Sequence, residues 1–332
     1  MAGPADNGRG PGGAVDWLRL CGCATSSPSG PEGSVPVVHL PVAAHRRSVR
    51  NPVKSIRIAS LVVLVALAGA TASPAATPAT LKTSEFGHGP TVVFVHGLGG
   101  GRMQWMPVVR KMIGANRVVL VDLPGHGEST MPDPFSLGAC ADALADLLAK
   151  QNRDSTIVVA QGIGGMIAIR MMATHPGAAR GLLAIDAGLK LPQAVPEQQQ
   201  KYFLDMLDTN YEAIMKPMFV MQGRDSAQGV AMWATASQVP HVNMKTYMSV
   251  LLTADESKSF HDLKTPFEFV GTEKVWAAGK TWTDVAKQLG YDETIPVDAR
   301  RLAGAGAMVA SDQPDSLAML VADFQKRALK AK

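Results

Sequence analysis

Four short runs of almost unbroken apolar residues set the tightest limit on what this chain can fold into. They are Thr91–Val95 (TVVFV), Arg117–Val121 (RVVLV), residues 156–160 (TIVVA) and residues 181–185 (GLLAI). A strand with one wet face alternates apolar and polar residues, because successive side chains point to opposite faces. These runs do not alternate, so both of their faces must be covered, as in a mostly parallel sheet flanked by helices on each side. Helical spacing fills the gaps: residues 103–113, Leu137–Leu148 with Leu137, Ala141, Leu144, Leu147 and Leu148 on one face, and residues 164–174.

The alternation stops between residues 188 and 263, a stretch rich in Met, Gln and Tyr with helical pattern and no strand. It resumes with an apolar run at residues 267–270, a helix near 281–288, a short strand near 297–302 and a closing helix over Pro314–Lys330. The simplest arrangement is an α/β core over residues 81–187 and 264–330, interrupted by a helical insertion at 188–263. Among the insertion's methionines (Met206, Met215, Met218, Met221, Met232, Met244, Met248), two roles stay open: an adaptable apolar lining, or ordinary helix packing.

The formal charge of +4 sits almost wholly at the start of the chain. Residues 1–72 carry seven basic and three acidic side chains, which leaves 25 of each sign in the remainder. A nucleic-acid reading needs a basic face on the folded part, and the neutral net charge of the body gives no support for one. Of the three cysteines, Cys21 and Cys23 precede the body and Cys140 stands alone in it, so the body has no internal disulfide and no cysteine-based zinc site. Cys140 reads as a small buried residue. The eight histidines show no metal-ligand spacing, and Gly99-Gly100-Gly101 lacks the Lys-Ser/Thr of a phosphate loop. No cofactor is implied.

Residues 1–52 are rich in Gly, Pro, Ala, Ser and Arg and lack a sustained apolar period, so they are expected to stay unpacked. Lys54 and Arg57 then precede an apolar stretch over residues 58–70 and the small-residue sequence Ala70-Thr71-Ala72. That order of basic, apolar and small residues describes a secretory signal peptide over residues 53–72, cleaved near Ala72 to release the protein from the cytoplasm. The run falls short of the ~20 residues of a stable membrane span. An upstream mis-start accounts for residues 1–52; an uncleaved signal anchor is the alternative. Residues 73–80 read as a linker.

Four motifs then appear in a fixed order. Val93-Phe94-Val95-His96-Gly97-Leu98-Gly99-Gly100 is a strand followed by a His-Gly loop. Val121-Asp122-Leu123-Pro124-Gly125-His126-Gly127-Glu128-Ser129 is a D-x-P-G-x-G-x-S turn. A strand, tight turn and helix follow at residues 156–174. Last comes Gly304-Ala305-Gly306-Ala307 with Asp312-Gln313-Pro314. In order and spacing these resemble the α/β-hydrolase family over residues 81–327. The resemblance implies an α/β-hydrolase fold with a helical cap at residues 188–263 over the pocket. It also implies an oxyanion hole formed by the backbone N–H groups of Leu98 and Ile163, with His96 beside it.

Such a hydrolase carries a serine in G-x-S-x-G, on a strained strand-to-helix turn that exposes its hydroxyl. A late histidine takes the hydroxyl proton, and an acid fixes the histidine tautomer. Here the turn reads Val159-Ala160-Gln161-Gly162-Ile163-Gly164-Gly165, with Gly162 at the serine position and Ala307 at the histidine position. The position where the family often has its acid is Lys274, with Glu273 beside it. Asp186 follows an earlier strand, from which some family members take the acid. Without nucleophile and base the acyl-enzyme route is closed.

Among other candidates, Asp122 is expected to bond its own turn and His126 and His175 to serve as turn residues. His241 and His261 belong to the insertion or its return and are candidates for the pocket. Three functional readings follow. One is an exported, catalytically silent protein that binds a small apolar or ester-like molecule. Another is a working hydrolase of carboxylic esters that uses residues not identified. The third is a relic or engineered inactive form of an exported hydrolase. Sequence alone sets no oligomeric state.

Overall fold

The computed structural model describes residues 76–331. The expected unpacked segment at 1–52 and signal peptide at 53–72 lie outside the described residues. Residues 77–80, expected as linker, are tied to the body. Thr77 exchanges backbone hydrogen bonds with Asp133 at 2.8 and 3.0 Å, and Thr80 N–H donates to Thr130 Oγ1 at 2.8 Å.

Seven strands form one sheet: β1 (Thr83–Phe86), β2 (Thr91–Val95), β3 (Arg117–Val121), β4 (Thr156–Gln161), β5 (Leu182–Ile185), β6 (Phe267–Thr272) and β7 (Asp298–Leu302). Their order across the sheet is β1-β3-β2-β4-β5-β6-β7, with every pair parallel except β1 with β3. The four apolar runs become β2, β3, β4 and β5, four of the five inner strands. Along β2, Val92 and Phe94 pack into one apolar layer while Val93 and Val95 pack into the other. That two-sided demand is why these strands do not alternate; full burial of each such side chain contributes about 1.5–3 kcal/mol. The edge strands β1 (TSEF) and β7 (DARRL) carry polar residues, so β1 has no apolar run to betray it in the sequence.

One face of the sheet is covered by α2 (Leu137–Leu148) and α3 (Ile163–Thr174), the other by α1 (Met106–Met112) and a C-terminal helix over Pro314–Lys330. The expected helix at 103–113 is split: a 3-10 turn over Arg102–Trp105 leads into α1, where Pro107 occupies an early position that needs no N–H. Cys140 is buried as a free thiol in α2.

Between β5 and β6 lie only helices: α4 (Glu197–Val220), α5 (Ser226–Ala236), α6 (His241–Leu251) and α7 (Ser257–His261). Helix α4 leaves helical geometry at Asn210 and contains Pro217. The segment has an apolar cluster of its own that includes Met215, Met218, Met244 and Met248, which are packed; Met221 is exposed. After β6 come α8 (Trp282–Leu289), capped by a reciprocal Thr281–Asp284 box, then β7, a short α9 (Val309–Asp312) and the C-terminal helix α10 (Pro314–Lys330). No helix of the described residues is long and apolar enough to cross a membrane.

Candidate active site

Strand β4 ends at Gln161 and helix α3 begins at Ile163, so Gly162 alone makes the turn between them. It adopts φ 53°, ψ −124°, a conformation open to glycine and strained for a residue with a Cβ. Its N–H donates to Ile185 O at 2.9 Å and its carbonyl accepts the Met166 N–H at 3.1 Å, which binds the turn to β5 and to α3. The neighbouring glycines are there for close packing. A Cβ on Gly164 would overlap the His96 carbonyl oxygen, and one on Gly165 would overlap the Ala187 side chain. A Cβ on Gly162 would meet only the Gly97 Cα, at an ordinary 3.8 Å. The turn therefore has room for a side chain that the sequence does not supply.

That same contact puts the loop after β2 beside the turn. Leu98 in this loop is half-buried and touches both the sheet core and the insertion's cluster. Among the described residues, no protein acceptor bonds the N–H of Leu98 or of Ile163. Ile163 N–H lies at the positive end of α3.

His96, expected among the binding residues, is corrected by its surroundings. The ring is fully buried; Nδ1 donates to Gly97 O at 2.7 Å, and Nε2 accepts the Leu123 N–H at 3.0 Å. Neither nitrogen is left for a ligand. His126, expected as a turn residue, is likewise buried, with Nε2 accepting the Gly99 N–H at 3.1 Å and Nδ1 donating to Pro124 O at 3.2 Å. Burial lowers the His96 pKa to about 4 and that of His126 to about 3, the latter also through the neighbouring His96. Both rings are therefore neutral props that hold the loop after β2 against the turn after β3. The Asp122 carboxylate, expected to bond its own turn, accepts there only the Glu128 N–H at 3.5 Å; its short bonds come from Arg102, through the backbone N–H at 2.7 Å and the guanidinium, and they join the turn after β3 to the loop after β2. His175 pairs with Asp142 on the surface, His241 stacks on Tyr211, and His261 is exposed.

The candidate acids, Lys274 and Ala307 are separated in role. Asp186, at the end of β5, has φ 48°, and its carboxylate accepts from Thr272 N–H at 2.7 Å and Thr272 Oγ1 at 2.6 Å. Loss of water around this carboxyl raises its pKa to about 6, against the lowering effect of the Thr272 bonds. Glu273 pairs with Arg301 at 2.9 Å. Lys274 donates to the carbonyls of Met221 and Gly223, at 3.2 and 3.3 Å, in the insertion. At Ala307 the backbone is engaged instead of a side chain: its carbonyl accepts Gln161 Nε2 at 2.7 Å, while Gln161 Oε1 accepts Gln104 Nε2 at 3.1 Å. Gln104 and Gln161 thus tie together the loop after β2, the turn at Gly162 (the elbow) and the late loop. Nothing in their local sequence marks that role, because the three segments meet only in the fold.

An open concavity of about 660 Å3 is lined by Glu212, Ala213, Lys216, Pro217 and Val220 on α4 and by Met221 just after it. None of the elbow or oxyanion-loop residues line it.

The model of the alpha/beta hydrolase family matches residues 92–320, from the second strand into the closing helix. The chain belongs to the α/β-hydrolase family. Among curated relatives, a pimeloyl-[acyl-carrier protein] methyl ester esterase of Pseudoalteromonas atlantica is 32% identical over 108 residues, 32% of this chain and 40% of that protein. The chain thus spans about two-fifths of the length of that relative. Among solved structures, a thermophilic esterase from Thermogutta terrifontis matches with TM-score 0.62 and 17% identity, over 75% of this chain and 94% of the other. The enol-lactonase from Burkholderia xenovorans matches with TM-score 0.60 and 15% identity, over 74% and 96%. At such identities the structural likeness speaks for the α/β-hydrolase fold alone.

Proposed function

We propose that this α/β-hydrolase-family protein is exported and binds a small apolar or ester-like molecule at the elbow without performing acyl transfer. The observation that carries this reading is Gly162: the strand-to-helix turn is sharp, and no side chain stands on it. A hydrolase of this family needs a hydroxyl there and an imidazole from the late loop to take its proton. Ala307 supplies none, and the carbonyl of that residue is bonded to Gln161. The buried histidines His96 and His126 offer no substitute base, because in each ring Nε2 accepts a backbone N–H and Nδ1 faces a carbonyl. The oxyanion-type donors belong to the backbone and survive loss of the serine, so a carbonyl or similar acceptor can still be held there.

The test is a fluorophosphonate probe together with an activated ester. The expected result is no covalent labelling and no burst of product. Gly162→Ser alone is expected to add little, since an unassisted hydroxyl is a weak nucleophile near neutral pH. Gly162→Ser with Ala307→His is expected to restore slow hydrolysis, with Asp186 as the orienting acid. Strong labelling of the unmodified protein at an elbow or loop residue would overturn the proposal in favour of a working esterase. For export, the mature N-terminus is expected near Ser73; a natural product that retains residues 1–52 would refute it.

A further inference from the structure

We infer that Lys274 and the buried Asp312 form a strap that holds the turn between α4 and α5 shut against the elbow, so that access to the site is gated by this turn. The inference concerns the site proposed above and rests on its being a binding site. The turn runs from Met221 to Asp225, and it is fastened at two separate points. At the first, the Lys274 ammonium donates to the carbonyls of Met221 and Gly223. Met221 is the C-cap of α4, where the helix dipole is negative and a cation is favoured, and Gly223 lies two residues further on, in the turn itself. At the second point, Asp312 Oδ1 accepts Gln228 Nε2 at 2.7 Å and lies 3.6 Å from Arg224 Nη1. The other oxygen of the same carboxylate, Oδ2, accepts the Gly306 N–H at 2.7 Å, in the late loop. The Asp312 side chain is 1% exposed. One buried carboxylate therefore joins the insertion to the residue preceding Ala307. Gln228 completes the fastening, since its Oε1 accepts the Arg224 N–H at 2.7 Å.

What the turn covers follows from its neighbours. Phe219, two residues before it, lies directly against Gly99 of the loop after β2, as does Ala236 of α5. Arg224 and Gln228 flank Gly306. The strapped segment therefore touches the loop on one side of Gly162 and the loop on the other. A lysine in place of an acid at position 274 changes the device in sign: a carboxylate there would repel the carbonyls that the ammonium holds. The fastenings are few and partly exposed, so the turn can open without unfolding the sheet, as the low-stability parts of a fold do.

The test places a reporter at the elbow. In full-length Gly162→Cys protein, the alkylation rate at position 162 is followed by peptide mapping, with Lys274→Met and Gln228→Leu added singly and together. Buried Cys140, whose thiol pKa is pushed up to about 12, is the unreactive internal reference. The pair removes four hydrogen bonds, two at Lys274 and two at Gln228, and is expected to raise alkylation at least about tenfold. In the same pair with Gly162 intact, the amides of Gly223, Gln228 and Gly229 are expected to exchange faster, while those of α10 keep their rate. Equal alkylation and equal exchange in strapped and unstrapped proteins would overturn the gate. So would faster exchange throughout α10, which would mean general destabilisation. Either result is separate from probe labelling of the unmodified protein, which bears on the silent chemistry alone.

Discussion

Alanine at Gly162 and alanine at Gly164 are two residues apart in sequence, yet the structure assigns them different costs. At Gly162 the added Cβ meets only the Gly97 Cα at 3.8 Å, so the cost is backbone strain at φ 53°. Such strain is about 1–3 kcal/mol. Restricting the unfolded chain returns about 0.4–1 kcal/mol, which leaves a net loss of roughly 1–2 kcal/mol. At Gly164 the added Cβ would overlap the His96 carbonyl oxygen, with Val95 Cγ1 also close at 3.0 Å. Backbone cannot yield as a side chain can, so α3 must move off β2, with a loss of about 3 kcal/mol or more. Urea unfolding followed by far-UV circular dichroism measures both. Gly162→Ala is expected to keep the wild-type slope with a modestly lower midpoint, and Gly164→Ala to lose most of the cooperative transition. Equal losses in the two variants would show that the elbow has no room for a side chain. The expectation that Gly162→Ser places a hydroxyl on an otherwise intact turn would fall with it.

The remaining predictions concern pH. Asp186 has a folded pKa of about 6 against an ordinary value of 3.8, so it binds a proton more tightly in the fold than in the unfolded chain. Its contribution is favourable below about 3.8 and is lost as pH rises through about 6, a change of about 3 kcal/mol at 1.36 kcal/mol per pKa unit. Asp186→Asn keeps an acceptor for Thr272 and is expected to gain stability over wild type at pH 7 but not at pH 4; a pH-independent difference in unfolding midpoint would refute this. His96 and His126 act in the opposite sense, because their pKa values are lowered from 6.5 to about 4 and about 3. Their contribution is fully present above about 6.5 and is lost as pH falls toward 4 and then 3. At pH 5 each has lost about 2 kcal/mol, more than Asp186 regains, so net stability is expected to fall on acidification from pH 7 to 5. A protein equally stable at both values would mean that the rings are not held neutral.

The sequence by itself determined the sheet and which residue stands on the strand-to-helix turn. Runs such as TVVFV and TIVVA can be satisfied only between two helical layers, and the local strand-turn-helix around Gly162 is written in consecutive residues. Tight turns announce themselves through glycine, so the positions left as Gly162 and Ala307 could be read without coordinates. The edge strand β1 could not, since a half-exposed TSEF has no apolar period to reveal it. Only the tertiary structure decided how the polar groups pair. His96 and His126 look like site residues or turn residues until the backbone N–H groups of Leu123 and Gly99 are brought onto their rings. Lys274 is an unremarkable charge until Met221 and Gly223, some fifty residues earlier, present their carbonyls to it. Gln104, Gln161 and Ala307 come from three segments that share no local pattern, and they are joined across the ends of parallel strands. Apolar periodicity records which face of an element must be buried. A hydrogen bond between distant residues leaves no periodic trace, because its two partners are chosen by the fold.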